Sequence, residues 1–255
     1  MSKKKTKLGP LQLISLVREV RRGAGDPRPL AVAGARELVP LLARELRAGG
    51  APAAVVENHV EGAAALVWIG DPDEEQLHAA SRAEIPIVAL SDDETVPYVL
   101  ATDIVRVKPG EGFPVDEIAR VLARKLGEDG TSLAARLPVL RRPVCDALIA
   151  SFSKRNAAVA VAVFVPGVDM PVLTLNQIRL VLRIGLAHGA ELDNQRLAEL
   201  AGVVGVGFGL RTVARELLDV IPVAGWALKG AVAYSGTKAI GEAAVRYFEA
   251  RTTQA

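Results

Sequence analysis

The chain has 255 residues, half of them hydrophobic, and a formal net charge of +2. That apolar fraction supports a sizeable core and excludes a disordered chain, and the length accommodates one large or two ordinary domains. The single cysteine, Cys145, cannot form an internal disulfide and fits a reducing compartment, and no apolar signal core follows the lysines of Met1–Lys7.

The charge is unevenly divided. Residues 1–22 hold seven Lys/Arg against one Glu, whereas residues 23–130 hold ten against nineteen Asp/Glu. The remainder is basic, and Arg136, Arg141, Arg142, Lys154 and Arg155 face only Asp146 before the uncharged run Asn156–Val168. A basic flank followed by an apolar run is the pattern of a cytoplasmic membrane face, although cations solvating a helix beside an acidic domain give the same pattern. Nucleic-acid binding is not expected, because aromatic residues for base stacking are few and the middle third is acidic.

In chain order, Leu11, Ile14, Leu16, Val17 and Val20 predict a short amphipathic helix in a basic arm, residues 1–25, that ends at Gly23–Pro29. Strands are expected at Leu30–Ala33, Ala53–Glu57, Ala65–Ile69, Ile85–Leu90 and Ile104–Val107, and helices at Leu38–Arg47, Glu74–Arg82 and Val115–Leu126. Only a short link containing Gly62 joins the second and third strands. This is the succession of a small three-layer α/β domain with a mostly parallel sheet, placed at residues 26–128. Gly127–Ser132 is turn-rich and sets the boundary to an all-α, four-helix domain at residues 133–255. Its helices are expected at Pro143–Val165, from the Asp169 cap through Leu186 to the stop at Gly189, from the Asp193 cap to before Pro222, and over Val223–Ala250.

Small residues recur every fourth position in the last two helices. Ala201, Gly205 and Gly209 share one face, as do Ala227, Ala231, Ser235, Ala239 and Ala243, a spacing that lets helix backbones approach closely in membrane hairpins or in a tight soluble pair. Gly202, Gly205, Gly207 and Gly209 lie within a helix pattern rather than after a strand, so they are read as packing residues.

The strand and helix order is Ras-like, yet the nucleotide motifs are missing. A phosphate loop needs G-x-x-x-x-G-K-[ST], and the first turn reads Gly34-Ala35-Arg36-Glu37-Leu38, with a carboxylate where a phosphate would lie. The fourth strand is followed by Ser91-Asp92-Asp93 rather than Asn-Lys-x-Asp. The α/β part is therefore read as a degenerate GTPase-like domain. Tyr234-Ser235-Gly236-Thr237-Lys238 matches the Tyr-x-x-x-Lys of short-chain dehydrogenases, but a glycine-rich cofactor turn and an upstream serine are lacking, so it is the weakest alternative. His59, His78 and His188 are scattered, and the run Asp71, Asp73, Glu74, Glu75 reads as a solvated helix start. No catalytic residue, cofactor or metal is assigned.

Val165-Pro166-Gly167-Val168-Asp169, Gln177, Ala187-His188-Gly189, Ile221-Pro222 with Gly225, and Thr237-Lys238-Ala239-Ile240-Gly241 leading to Tyr247-Phe248 occur in order. With these landmarks, Phe164–Phe248 resembles the domain-of-unknown-function family typified by YcjF-like membrane proteins. That domain is often attached behind Era-like GTPase domains, so the resemblance also implies a GTPase-like domain upstream. The expected protein is a non-enzymatic, membrane-associated pseudo-GTPase or scaffold on the cytoplasmic side of the cell membrane. Arg141, Arg142, Lys154 and Arg155 would meet anionic head groups or a membrane-protein partner, with Trp226 at the interface. The alternative is a soluble cytoplasmic scaffold that forms a homo-oligomer through its small helix faces.

Overall fold

Five short runs dominated by Val, Ile, Leu and Ala form one sheet. The strands are β1 (Leu30–Gly34), β2 (Val55–Glu57), β3 (Ala65–Ile69), β4 (Ile87–Ser91) and β5 (Ile104–Arg106), in the order β2-β1-β3-β4-β5, all parallel. This computed structural model describes residues 15–20, 25–108, 110–162, 170–190 and 225–252. The helices among them are α1 (residues 15–20), α2 (Val39–Arg47), α3 (Glu74–Arg82), α4 (Val115–Leu126), α5 (Gly130–Arg136), α6 (Pro138–Ala162), α7 (Met170–Ala187) and α8 (Gly225–Thr252). The chain thus combines a parallel α/β unit, Gly25–Ala147, with a helical unit made of Met1–Ala24 and Leu148–Ala255.

A parallel sheet is covered on both faces, so its strands carry apolar residues at consecutive positions rather than alternate ones. On one face Ala31, Ala33, Leu66, Trp68, Ile87 and Ala89 pack with Leu77 and Ala80 of α3. The alternate residues Leu30, Val32, Val67, Ile69, Val88, Leu90 and Val105 are equally buried and take the opposite face. Each fully buried Leu or Val stabilises the fold by about 1.5–3 kcal/mol, so the two layers supply the main driving force. The expected short link between β2 and β3 is present. Val60 and Ala63 of that link lie over the α3-side cluster, where the alanines of β1 leave room for a connection without a helix.

The strand positions agree with the sequence reading to within two residues, and α3 and α4 match it. The sheet is all-parallel with β1 between β2 and β3, the doubly wound order of the flavodoxin-like type.

The division between the units falls at Ala147 and Leu148, not at the turn-rich 127–132 segment. That segment forms a 3-10 turn and the start of α5, and α5 is tied back to the segment that leads into β1. Ser132 Oγ donates to Asp26 O, and the Arg136 guanidinium donates to Pro27 O at 3.0 Å and Arg28 O at 2.7 Å. Leu133, Leu137 and Leu140 are fully buried or nearly so. A turn-rich composition marks a change of direction, but it does not reveal that the chain then folds back. Pro143, expected to start the long helix, lies inside α6, which begins at Pro138. The basic arm belongs with the helical unit: Leu16 and Val20 are buried, and Glu19 pairs with Arg179 of α7 at 2.9 Å.

In the helical unit, α8 turns Ala233, Thr237, Ile240, Gly241, Ala244, Val245 and Phe248 inward. Glycine permits close approach at two places. A Cβ on Gly241 would lie 2.5 Å from Ile149 Cγ1, and one on Gly185 would lie 2.8 Å from the Phe248 ring. The expected small-residue face is a different one: Ala231, Ser235, Ala239 and Ala243 are exposed among the described residues. Small residues ring much of this helix, and the large apolar partners Ile240, Val245 and Phe248 decide which side packs inward. Ala201, Gly205 and Gly209 lie outside the described residues, as do the side chains of Trp226 and Ala227.

Candidate functional site

In an open doubly wound sheet, ligands bind outside the carboxyl ends of the strands, at the point where successive connections leave in opposite directions. Here that point lies between β1 and β3, framed by Gly34–Leu38 and Gly70–Asp73. The two turns are locked together. Ala35 N–H donates to Ile69 O at 2.7 Å, a Cβ on Gly34 would sit 2.1 Å from the same oxygen, and a Cβ on Gly70 would meet Ala35 Cβ at 2.8 Å. Gly34 and Gly70 adopt φ of +123° and +92°, which L side chains rarely take, so glycine is required by backbone conformation as well as by space.

Phosphate binding at such a site draws on unsatisfied amides at helix N-termini. At α3 the Asp73 carboxylate already accepts from Gln76 N–H at 3.0 Å. That backbone bond and the Gln76 side-chain amide hold the Asp73 carboxyl below the usual range, so the position carries its own negative charge. At α2 Val39 N–H donates to Ala35 O, Pro40 carries no N–H, and Glu37 lies exposed beside them. After β4 the Ser91 hydroxyl accepts from Asp93 N–H at 3.1 Å, and Trp68 Nε1–H fixes the loop after β3 through Asp71 O. The turns at this edge thus present five exposed carboxylates, from Glu37, Asp71, Asp92, Asp93 and Glu94, against the exposed cations Arg36 and Arg106, so negative charge predominates where a nucleotide would need cations and free amides.

The opposite edge carries a structural ion cluster. Asp103, 3% exposed just before β5, accepts from Lys125 Nζ at 2.5 Å and Arg124 NH2 at 3.1 Å. Burial pushes its carboxyl up, but the Lys125 and Arg124 bonds outweigh burial and hold it below the usual range. This pins α4 to the start of β5.

Within the helical unit the most distinctive chemistry is a buried amide and hydroxyl cluster. Asn156 Nδ2 of α6 donates to Thr237 Oγ1 of α8 at 2.9 Å, Gln177 Nε2 of α7 donates to the same oxygen at 3.3 Å, and Asn176 Nδ2 donates to Asn156 Oδ1 at 2.8 Å. Thr237 in turn donates to Ala233 O at 2.7 Å. Asn156, Gln177 and Thr237 have no exposed surface. Among the landmarks of the sequence, Gln177 and Thr237 therefore meet in space, whereas Asn156 reads in the sequence only as the start of an uncharged run. Residue type alone does not show that two amides on separate helices share one hydroxyl.

The four basic residues of α6 do not behave alike. Arg142, Lys154 and Arg155 are exposed, while Arg141 is half-buried. Arg142 is paired with Asp146 at 3.0 Å, and the Arg155 guanidinium lies 4.9 Å from the centroid of the Phe152 ring. Tyr234 and Lys238 are exposed one turn apart on α8, a helix of the helical unit rather than one that follows a sheet strand. No group of three or more His, Cys, Asp or Glu suited to a metal ion occurs among the described residues, where Cys145 is buried and in no disulfide. No described helix is long and apolar enough to cross a membrane.

Searches against protein-family models, curated proteins and solved structures return no match for this chain. The fold and the site define an α/β protein with an appended helical unit.

Proposed function

We propose that the chain is a non-enzymatic scaffold acting at the cytoplasmic side of the cell membrane, with an α/β unit derived from a nucleotide-binding domain that now binds a protein partner. The observation that carries the reading is the closed strand edge, where the Ala35 amide is bonded to Ile69 O and the α3 N-terminus is filled by Asp73. A pseudo-GTPase is one form of this reading, drawn from the order of elements and the degenerate first turn. The flavodoxin-like strand order favours a doubly wound ancestor of another lineage. The resemblance of Phe164–Phe248 to the YcjF-like family supports the membrane setting.

Membrane association would be peripheral, through the exposed cations Lys154 and Arg155 of α6 with Lys229, Lys238 and Arg246 of α8. The test is flotation of the full-length protein with neutral vesicles and with vesicles containing anionic lipid, alongside a thermal-shift screen against GTP, GDP, ATP, NAD and NADP with magnesium. Flotation only with anionic vesicles, and no nucleotide-dependent shift, is the expected result. Recovery in the soluble fraction with both vesicle types sinks the membrane reading, and a clear rise in melting temperature with any nucleotide overturns the reading of a strand edge closed to nucleotides.

A second reading, a soluble self-associating scaffold, is favoured by the exposed small-residue stripe Ala231, Ser235 and Ala239 on α8. Charge reversal at Lys154 and Arg155 separates the two, because it releases a peripheral membrane protein and leaves such an oligomer intact.

A further inference from the structure

The connection from β4 to β5, residues 92–103, contains a tight turn and a 3-10 turn where a doubly wound sheet usually carries a crossover helix. The flank of α3 beside it is left open, and the turn itself is unusual. Val99 N–H donates to Val96 O at 3.1 Å, Pro97 takes the second position, and Tyr98 takes the third with φ +62°. That position of a type II turn normally selects Gly or Asn. Burial does not account for a tyrosine there, because Tyr98 is 47% exposed. Its ring stacks on the exposed His78 of α3 at a centroid distance of 4.8 Å, and Leu100, 68% exposed, follows two residues later. Beneath them Leu77, Ala80, Val96 and Val99 belong to one core cluster, so the turn has a firm base.

The surrounding charge has one dominant sign. Glu74 and Glu75 precede His78 by one helical turn, and Asp92, Asp93 and Glu94 lead into the Tyr98 turn, all exposed. Against them stand Arg82, one turn beyond His78, and Arg106, which pairs with Glu94 at 3.1 Å.

We propose that the surface formed by His78, Tyr98 and Leu100 is a docking site for a cationic segment of a partner protein. A Lys or Arg of that segment lies over the Tyr98 ring, and an apolar neighbour covers Leu100. Charge complementarity selects this occupant: the carboxylates steer a basic segment to the patch, and a cation is the charged group that an aromatic face attracts. The inference deepens the partner-binding reading and rests on it.

The test uses the full-length protein and a short fluorescent peptide of alternating lysine and leucine, with a glutamate-leucine peptide as comparison, followed by anisotropy at physiological salt. The lysine peptide binds and the glutamate peptide does not. Tyr98→Gly raises the melting temperature, since glycine takes the left-handed turn without strain, yet it weakens binding by about tenfold or more. Leu100→Ser, at an exposed side chain that leaves the core alone, weakens it in the same direction. Asp116→Lys with Glu117→Lys, at the start of α4, leaves binding within about twofold, as expected for charges outside the contact. The proposal is overturned if the lysine peptide does not bind, if Tyr98→Gly binds as tightly as wild type, or if the α4 reversal costs as much as the patch variants. Normal binding by the patch variants removes this site and leaves the scaffold reading standing, whereas a nucleotide-dependent melting shift removes the reading of a strand edge closed to nucleotides and leaves the peptide result in place.

Discussion

Individual residues at the strand edge show how little freedom remains there. Gly34 has a backbone conformation closed to other residues and also lies against Ile69 O, while a Cβ on Gly62, at φ +69°, would meet nothing within 4 Å. Gly34→Ala should therefore cost on the order of 3 kcal/mol, combining a strained φ with overpacking, and Gly62→Ala about 1–2 kcal/mol. Chemical denaturation of both variants checks the difference, and equal losses would mean that the Ile69 contact is soft.

At the same scale, Asp103 governs an acid-sensitive link. Its carboxyl is held below the usual value in the folded chain, so its stabilising contribution is present above the unfolded value near 3.8 and is lost as pH falls through the lower folded value. Asp103→Asn should lose about 1–3 kcal/mol at neutral pH, because the charge is removed and one of the two oxygens that accept from Lys125 and Arg124 is replaced by an NH2 donor. It should also flatten the acid limb of the stability profile below about pH 4, which a urea midpoint series across that range would measure.

At the scale of elements, the Asn156, Asn176, Gln177 and Thr237 cluster fixes the register of α6, α7 and α8. Thr237→Val keeps the shape but removes the acceptor shared by Asn156 and Gln177, so a loss of about 1–3 kcal/mol is expected. Ser235→Ala is the matched control. Its hydroxyl is exposed and donates only to carbonyls of its own helix, at 2.9 Å to Ala231 O, so its change should stay within about 0.5 kcal/mol. If both variants unfold at the same urea midpoint, the cluster does not hold the helices in register.

At the scale of the whole molecule, the unit boundary makes a direct prediction. Residues 25–147 expressed alone should unfold cooperatively, while residues 26–128 should not. The shorter piece lacks Ser132 and Arg136, which hold the backbone of Asp26, Pro27 and Arg28, and it lacks the buried Leu133, Leu137 and Leu140. Circular dichroism during a thermal ramp distinguishes the two, and equal cooperativity would return the boundary to the turn-rich segment.

The sequence by itself determined the five strands of the α/β unit and its helices α2, α3 and α4, because hydrophobic runs of strand length and amphipathic runs of helix length are local signals that flanking turns delimit. It also made legible that the first strand–helix turn carries no phosphate-loop motif, since a missing lysine and the presence of Glu37 are facts of composition. Tertiary structure alone decided the strand order, the allegiance of α5 and of the basic arm, the inward face of α8 and the meeting of Gln177 with Thr237 and Asn156. Each of these depends on contacts between residues far apart in the chain. The periodicity that defines a helix face cannot say which of two small faces a large apolar partner will choose.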